Sequence, residues 1–250
     1  MESVVVTATR KEESVFDVAE AVSVVDPEAI ERIAPDVLAE MMRGLPGAYF
    51  QQTTPGQGIP IIRGLKGSEV LHLVDGMRLN NAFFRNAPNQ YLGLVDAFAT
   101  ARMEVVRGSA PSLYGADAMG GVLQILTREP VLDGSNRSHE GRLYGSYDSV
   151  TSSLAGRAEL AVGNADSVLS GGVTWRDYGN RETGGGETVR PSGYDVRAAD
   201  LKWRQAIGED AELMLSAQYL EQPESPRVDE LVPGYGQDEP SSEQYWFRPN

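Results

Sequence analysis

The stretch that decides the fold is MEVVRGSAPSLYGADAMGGVLQILTR, residues 103–128. It reads as a strand, a turn, a short Gly-rich segment and a second strand. Glycines this close to a strand raise the question of a phosphate cradle. Neither G-x-x-x-x-G-K-[ST] nor G-x-G-x-x-G occurs, and no basic residue adjoins Gly120-Gly121, so a nucleotide site is not expected.

Upstream, Asp26-Pro27 before EAIERI supplies an N-cap and a proline at the first helical position, which predicts a helix. Asp36 then opens a second helical run, VLAEMMRG, stopped by Gly44 and Pro46. Short apolar runs between turn residues follow: IPIIRG (59–64), VLHLVDG (70–76), MEVVRG (103–108) and GVLQILT (121–127). They predict the strands of a small mixed sheet. The connections QQTTPGQG (51–58) and LNNAFFRNAPNQY (79–91) are long for a compact domain, and such loops are usually functional or disordered.

From about His139 the pattern changes to period two. Leu154, Ala158, Leu160 and Val162 fall on one face, against Arg157 and Glu159 on the other. Leu169, Val173 and Trp175 oppose Ser170, Thr174 and Arg176 in the same way. Ala199, Leu201 and Trp203 oppose Asp200, Lys202 and Arg204, and Leu213, Leu215, Ala217 and Tyr219 oppose Glu212, Ser216 and Gln218. A soluble antiparallel sheet with one wet face fits this pattern. So does a transmembrane β-barrel with lipid outside and a polar lumen. Strands of about ten residues, the aromatics Tyr147, Trp175, Tyr178, Trp203 and Tyr219 near their ends, and a tight turn at 163–166 against long connections at 179–194 and 221–244 favour the barrel.

The 250 residues carry 22 Lys and Arg against 36 Asp and Glu, a net charge of −14. That balance disfavours nucleic acid, whose phosphates require a basic face. With no cysteine there is neither a disulfide framework nor a thiolate metal site. No apolar run is long enough for a membrane-spanning helix.

Together with ESVVVTATR, IIRG and LVDG, the 103–128 stretch resembles the plug domain of the TonB-dependent outer-membrane receptors, active transporters of Gram-negative bacteria. The matching segments are VVVTA (4–8), VLAEMMRGLPGAYF (37–50), IIRG (61–64), VLHLVDGMRL (70–79) and the whole of 103–128. Each is weak alone, and their order and spacing are specific. The resemblance implies an α+β plug domain, a small mixed sheet with short helices, followed by the first antiparallel strands of a large transmembrane β-barrel. Residues 1–14 would be a TonB-box-like segment, 15–132 the plug, and 139–250 the N-terminal part of the barrel. Such barrels need several hundred residues after the plug, and an open five-strand sheet would leave lipid-facing edges. The chain therefore reads as an N-terminal piece of a longer protein.

The resemblance also implies roles. Val4, Val5, Val6, Thr7 and Ala8 would be the handle for TonB, paired strand to strand. Arg63 and Arg107, with Glu104, would latch plug to barrel through carboxylates on the wall. Gly64, Asp75, Gly76, Gly108, Tyr114, Gly115, Gly120 and Gly121 would serve as structural turns. The ligand would meet two apical plug loops: Gln51, Gln52 and Gln57 in the first, and Asn80, Asn81, Phe83, Phe84, Arg85, Asn86, Asn89, Gln90 and Tyr91 in the second. Aromatics, amides and one cation suit a siderophore chelate, a cobalamin-like molecule or another nutrient.

His72 lies inside a predicted strand and His139 where the barrel begins, so haem ligation by the plug is disfavoured. The acidic loop 221–244 lacks EF-hand spacing and reads as a solvated surface. No catalytic motif, metal set or resident cofactor is expected. The expected protein is a monomer of the Gram-negative outer membrane, its N-terminus periplasmic. Its expected partners are TonB, lipid and an imported ligand such as an iron chelate. A non-transporting surface receptor or adhesin on the same scaffold is the alternative.

Overall fold

A computed structural model describes residues 4–5, 13–14, 18–52, 54–79, 91–109, 111–115, 117–129, 138–208, 211–226 and 245–247. It divides into two compact units, Met1–Gln52 with Gln57–Arg128, and Thr53–Gly56 with Glu129–Asn250. The first is a mixed sheet with short helices and the second an antiparallel meander, the fold class expected from the sequence.

In the first unit β1 (Val4–Val5) pairs antiparallel with β2 (Glu13–Ser14). There follow β3 (Ala21–Val25), α1 (Pro27–Ile33), β4 (Ala48–Gln51), β5 (Ile59–Ile62), β6 (Val70–Val74) and β7 (Met77–Arg78). β8 (Thr100–Arg107), α2 (Pro111–Tyr114) and β9 (Gly121–Thr127) complete it. α1 starts as its sequence requires. The Asp26 carboxylate accepts from Ala29 N at 2.7 Å and Pro27 takes the first turn, where its missing N–H costs nothing.

The second predicted helix is instead a 3-10 turn, Leu38–Met42, whose cap residue Val37 offers no side-chain hydrogen bond. Glu40 compensates in part by accepting from the Asp36 N–H at 3.2 Å. Gly44 follows so closely that too few residues remain for an i→i+4 ladder to repay nucleation. Burial of Leu38, Ala39, Met41 and Met42 holds the turn instead.

The sheet order is β3-β8-β9-β6-β7, with only the β6–β9 pair parallel. This register puts Met103, Val105, Leu123, Ile125, Val70 and His72 on one buried face, and α1 packs against β8. The other face clusters Leu71, Leu73, Val106, Val122 and Ala118 beneath Val22 and Tyr114. β4 and β5 form a separate two-stranded ladder.

The second unit runs β10 (Ser138–Asp148), β11 (Ser153–Gly163), β12 (Ser167–Tyr178), β13 (Tyr194–Ile207), β14 (Ala211–Glu221), β15 (Ser225–Pro226) and β16 (Tyr245–Phe247). β10 to β14 pair in sequence order, all antiparallel. Between β11 and β12 the Asn164 side chain accepts from the N–H groups of Asp166 and Ser167, which tightens the turn.

Register aligns the apolar residues into rows across strands, such as Val162–Leu169–Trp203–Leu215 and Leu143–Ala158–Val173–Ala199–Tyr219. Leu143 is 85% exposed, Val173 60% and Leu215 53%. A continuous exposed apolar face marks a surface built to meet something other than water. Among the described residues no helix is long and apolar enough to cross a membrane.

Candidate functional site

The side chains of Arg63 and Arg107 both approach Gly47. A methyl at Gly108 would lie 3.1 Å from Arg63 Nη1, and one at Gly47 would lie 3.5 Å from Arg107 Cδ and 4.0 Å from Arg63 Cγ. Arg63 holds a positive φ of 51° and donates its backbone N–H to the Gly47 carbonyl at 2.9 Å. Arg107 donates to Ser23 Oγ at 2.5 Å and to the Val22 carbonyl at 3.5 Å. Burial first, and then the charge of Arg63, lower the Arg107 pKa below its ordinary value. Among the described residues neither guanidinium meets a carboxylate.

Glu104 is elsewhere. Three residues from Arg107 on one strand, it projects from the opposite sheet face, where it is fully buried and 2.9 Å from Arg102 Nε. The structure groups Arg63 with Arg107 and groups Glu104 with Arg102.

Asp75 and Gly76 turn the chain between β6 and β7 with φ of 48° and 78°, the two left-handed residues of a tight hairpin. The Asp75 carboxylate accepts from Thr127 N at 2.8 Å and Thr127 Oγ1 at 2.5 Å, tying this turn to the end of β9. At Gly121 a side chain would collide with the Val106 carbonyl, so glycine lets β9 enter the sheet beside β8. Gly120 donates its N–H to Glu69 and accepts from Gly108. Gly64 and Gly115 hold φ of 83° and 88°. Tyr114 offers its carbonyl to Arg78, which also pairs with Asp117. Arg78 gave no sequence signal, because its partners lie far along the chain.

An isolated parallel bridge between Gly58 and Tyr91 joins the ends of the two expected ligand loops. Gln51 ends β4 opposite Ile59. Gln57 is buried, and its Oε1 has no hydrogen-bond partner among the described residues. Such an acceptor favours a donor brought by something else. Val6, Thr7, Ala8, Asn80, Asn81, Phe83, Phe84, Arg85, Asn86, Asn89 and Gln90 lie outside the described residues, as does 227–244 of the acidic loop. His72 is buried in the first unit, and burial lowers its pKa to about 4.

The polar face of the second unit carries a chain of charges that single-strand patterns hid. Arg157 lies 2.8 Å from Glu159, 2.7 Å from Asp200 and 3.1 Å from Thr174 Oγ1, while Glu159 also takes Arg142 at 3.3 Å. Gly172 makes room for it, since a side chain there would overlap the Arg157 guanidinium. Lys202 pairs with Glu129 at 3.1 Å. Buried charges of this kind are held by full pairing and hydrogen bonding. Among the described residues no group of three or more acidic or histidine side chains gathers as a metal site.

The fold has counterparts among known proteins. Residues 14–122 match the model of the TonB-dependent Receptor Plug Domain. The chain is 38% identical over 160 residues to the vitamin B12 transporter BtuB of Vibrio vulnificus strain YJ016, a match covering 63% of this chain and 25% of that protein. It is 36% identical over 124 residues to the BtuB of Photobacterium profundum, covering 49% and 20%. Among solved structures it is similar to the pyoverdine outer membrane receptor FpvA of Pseudomonas aeruginosa PAO1, at a TM-score of 0.71, 15% identity, and coverage of 90% and 30%. It is also similar to the copper transporter OprC, at a TM-score of 0.66, 22% identity, and coverage of 82% and 30%. The chain thus spans a third or less of the length of each of these relatives.

Proposed function

Because the chain belongs to the TonB-dependent receptors and carries their plug domain, we propose that it supplies the plug and first wall strands of an outer-membrane importer. One observation supports this most: a mixed-sheet unit is followed by long strands, polar and ion-paired on one face, apolar and exposed on the other. A strand of 11 residues such as β11 has the length needed. At about 3.3 Å per residue and a tilt of about 40° it rises about 28 Å, close to the hydrocarbon thickness of a bilayer.

In this reading the apolar rows face lipid and the ion-paired face lines the lumen. Arg63 and Arg107, two adjacent cations that meet no carboxylate among the described residues, latch onto carboxylates of the wall. Such pairs fix geometry more than they add stability. Residues 4–8 are the periplasmic handle, binding TonB strand to strand. The receptor works as a monomer. Cobalamin is the first ligand to test, since relatives similar in sequence are vitamin B12 transporters. Iron chelates are the second.

The test removes residues 4–8 from the full-length protein and follows radiolabelled cyanocobalamin. Surface binding stays within about twofold of wild type, because TonB pairing, not ligand contact, is what the segment supplies. Accumulation falls to that of cells without TonB. Undiminished accumulation overturns the energy-coupling reading. Binding without accumulation in the intact protein marks a surface receptor instead.

A further inference from the structure

Residues 54–56 of the β4–β5 loop belong to the second unit, although the chain on both sides of them belongs to the first. Thr54, 3% exposed, donates its hydroxyl to the Pro226 carbonyl. Gly56 has a φ of 72° and lies against the Gln222 amide and the Tyr194 ring, where a Cβ would stand 2.8 and 3.0 Å from two ring carbons. Only glycine fits both the backbone angle and the gap. The Tyr194 ring stacks on Tyr178 at 4.5 Å, and both cluster with Val196 and Leu220. The contacts therefore include a hydrogen bond shielded from water, a glycine-only approach and a buried aromatic stack.

We propose that residues 54–56 are a fixed seat, which positions the ligand loop and unfolds with the strands of the second unit. This rests on the importer reading above. The flanking β4–β5 ladder is separate from the five-stranded sheet. Force or unfolding that opens that sheet therefore has no continuous backbone ladder by which to reach the seat. When the first unit rearranges for import, the loop tip stays in place, with Gln57 at its margin.

The test uses the full-length protein in detergent; these 250 residues hold no cysteine, and any cysteine elsewhere in the protein is first replaced by serine so that each variant carries a single thiol. Thr54→Cys and Val105→Cys each place one thiol in a buried position, the first in the seat and the second in the mixed sheet. Reactivity with a thiol reagent is followed against urea. Over a range of urea the Val105→Cys thiol reacts at least about tenfold faster than the Thr54→Cys thiol, as separate unfolding units require. Loss of protection at the same urea concentration for both overturns the seat.

Gly56→Val supplies the second arm. Added to Thr54→Cys it exposes that thiol without urea, while Val105→Cys protection is unchanged; protection retained at Thr54→Cys overturns the seat. Alone, it weakens cyanocobalamin binding by about tenfold, and unchanged affinity overturns the positioning role. Failure of the wild type to bind cyanocobalamin counts against the ligand reading, and the urea comparison then decides the seat by itself.

Discussion

Arg107 donates to Ser23 Oγ at 2.5 Å, so one of the two adjacent arginines also ties β8 to the edge strand β3. Arg63 makes no such bond among the described residues. The two substitutions should therefore part company. Arg107→Ala lowers the unfolding free energy of the first unit, read from its urea transition, by about 1–2 kcal/mol for a charged donor lost from a part-buried hydroxyl. Arg63→Ala changes this stability little, because it removes a like-charge neighbour. Both lower ligand accumulation if the pair is a latch, and equal stability losses would contradict the assignment.

His72 makes the first unit acid-sensitive. Its folded pKa of about 4 lies below the unfolded value of 6.5, so the unfolded chain takes up a proton first as pH falls. Stability is full above about pH 6.5 and declines towards pH 4, and this residue accounts for about 3 kcal/mol of the decline. In urea titrations from pH 7 to pH 4, His72→Leu should flatten the slope by about that amount. Identical slopes for the two proteins would contradict a neutral buried imidazole.

Asp75 combines a left-handed backbone with a two-armed carboxylate. Asp75→Ala loses both hydrogen bonds and places a Cβ residue where φ is positive, at a cost of about 2–3 kcal/mol. Asp75→Asn tolerates the angle and keeps one acceptor, and should cost less than half as much. The urea midpoint of the first unit measures both.

Arg157 sits between Glu159 and Asp200 with room provided by Gly172. Arg157→Met leaves carboxylates without their cation and costs about 3–5 kcal/mol. Adding Glu159→Gln and Asp200→Asn should restore much of that loss. Gly172→Ala should cost less than Arg157→Met, because the new methyl meets only the end of the Arg157 side chain, which can shift while keeping its charge. Thermal unfolding of the full-length protein followed by calorimetry reads all four.

The faces of β11 to β14 were legible because side-chain direction alternates with every residue of a strand, as Leu154 to Val162 display. The turn at Asp75-Gly76 was legible because few residue pairs take two positive φ angles. Register was not. Arg157 meets Asp200 only through the alignment of three strands, which no one strand encodes. The Asp36 run misled because apolar spacing describes burial and not ladder length, and burial alone sustains the 3-10 turn. The resemblance put Glu104 with Arg63 and Arg107, and strand alternation sends Glu104 and Arg107 to opposite faces of β8. The seat of Thr54 and Gly56 joins residues more than a hundred positions apart and leaves no local mark.

The most direct measurement compares radiolabelled cyanocobalamin in cells expressing the full-length protein with and without TonB. Accumulation well beyond the surface-bound amount is expected when TonB is present, and surface binding alone when it is absent. Equal amounts of label in the two strains would contradict the importer reading.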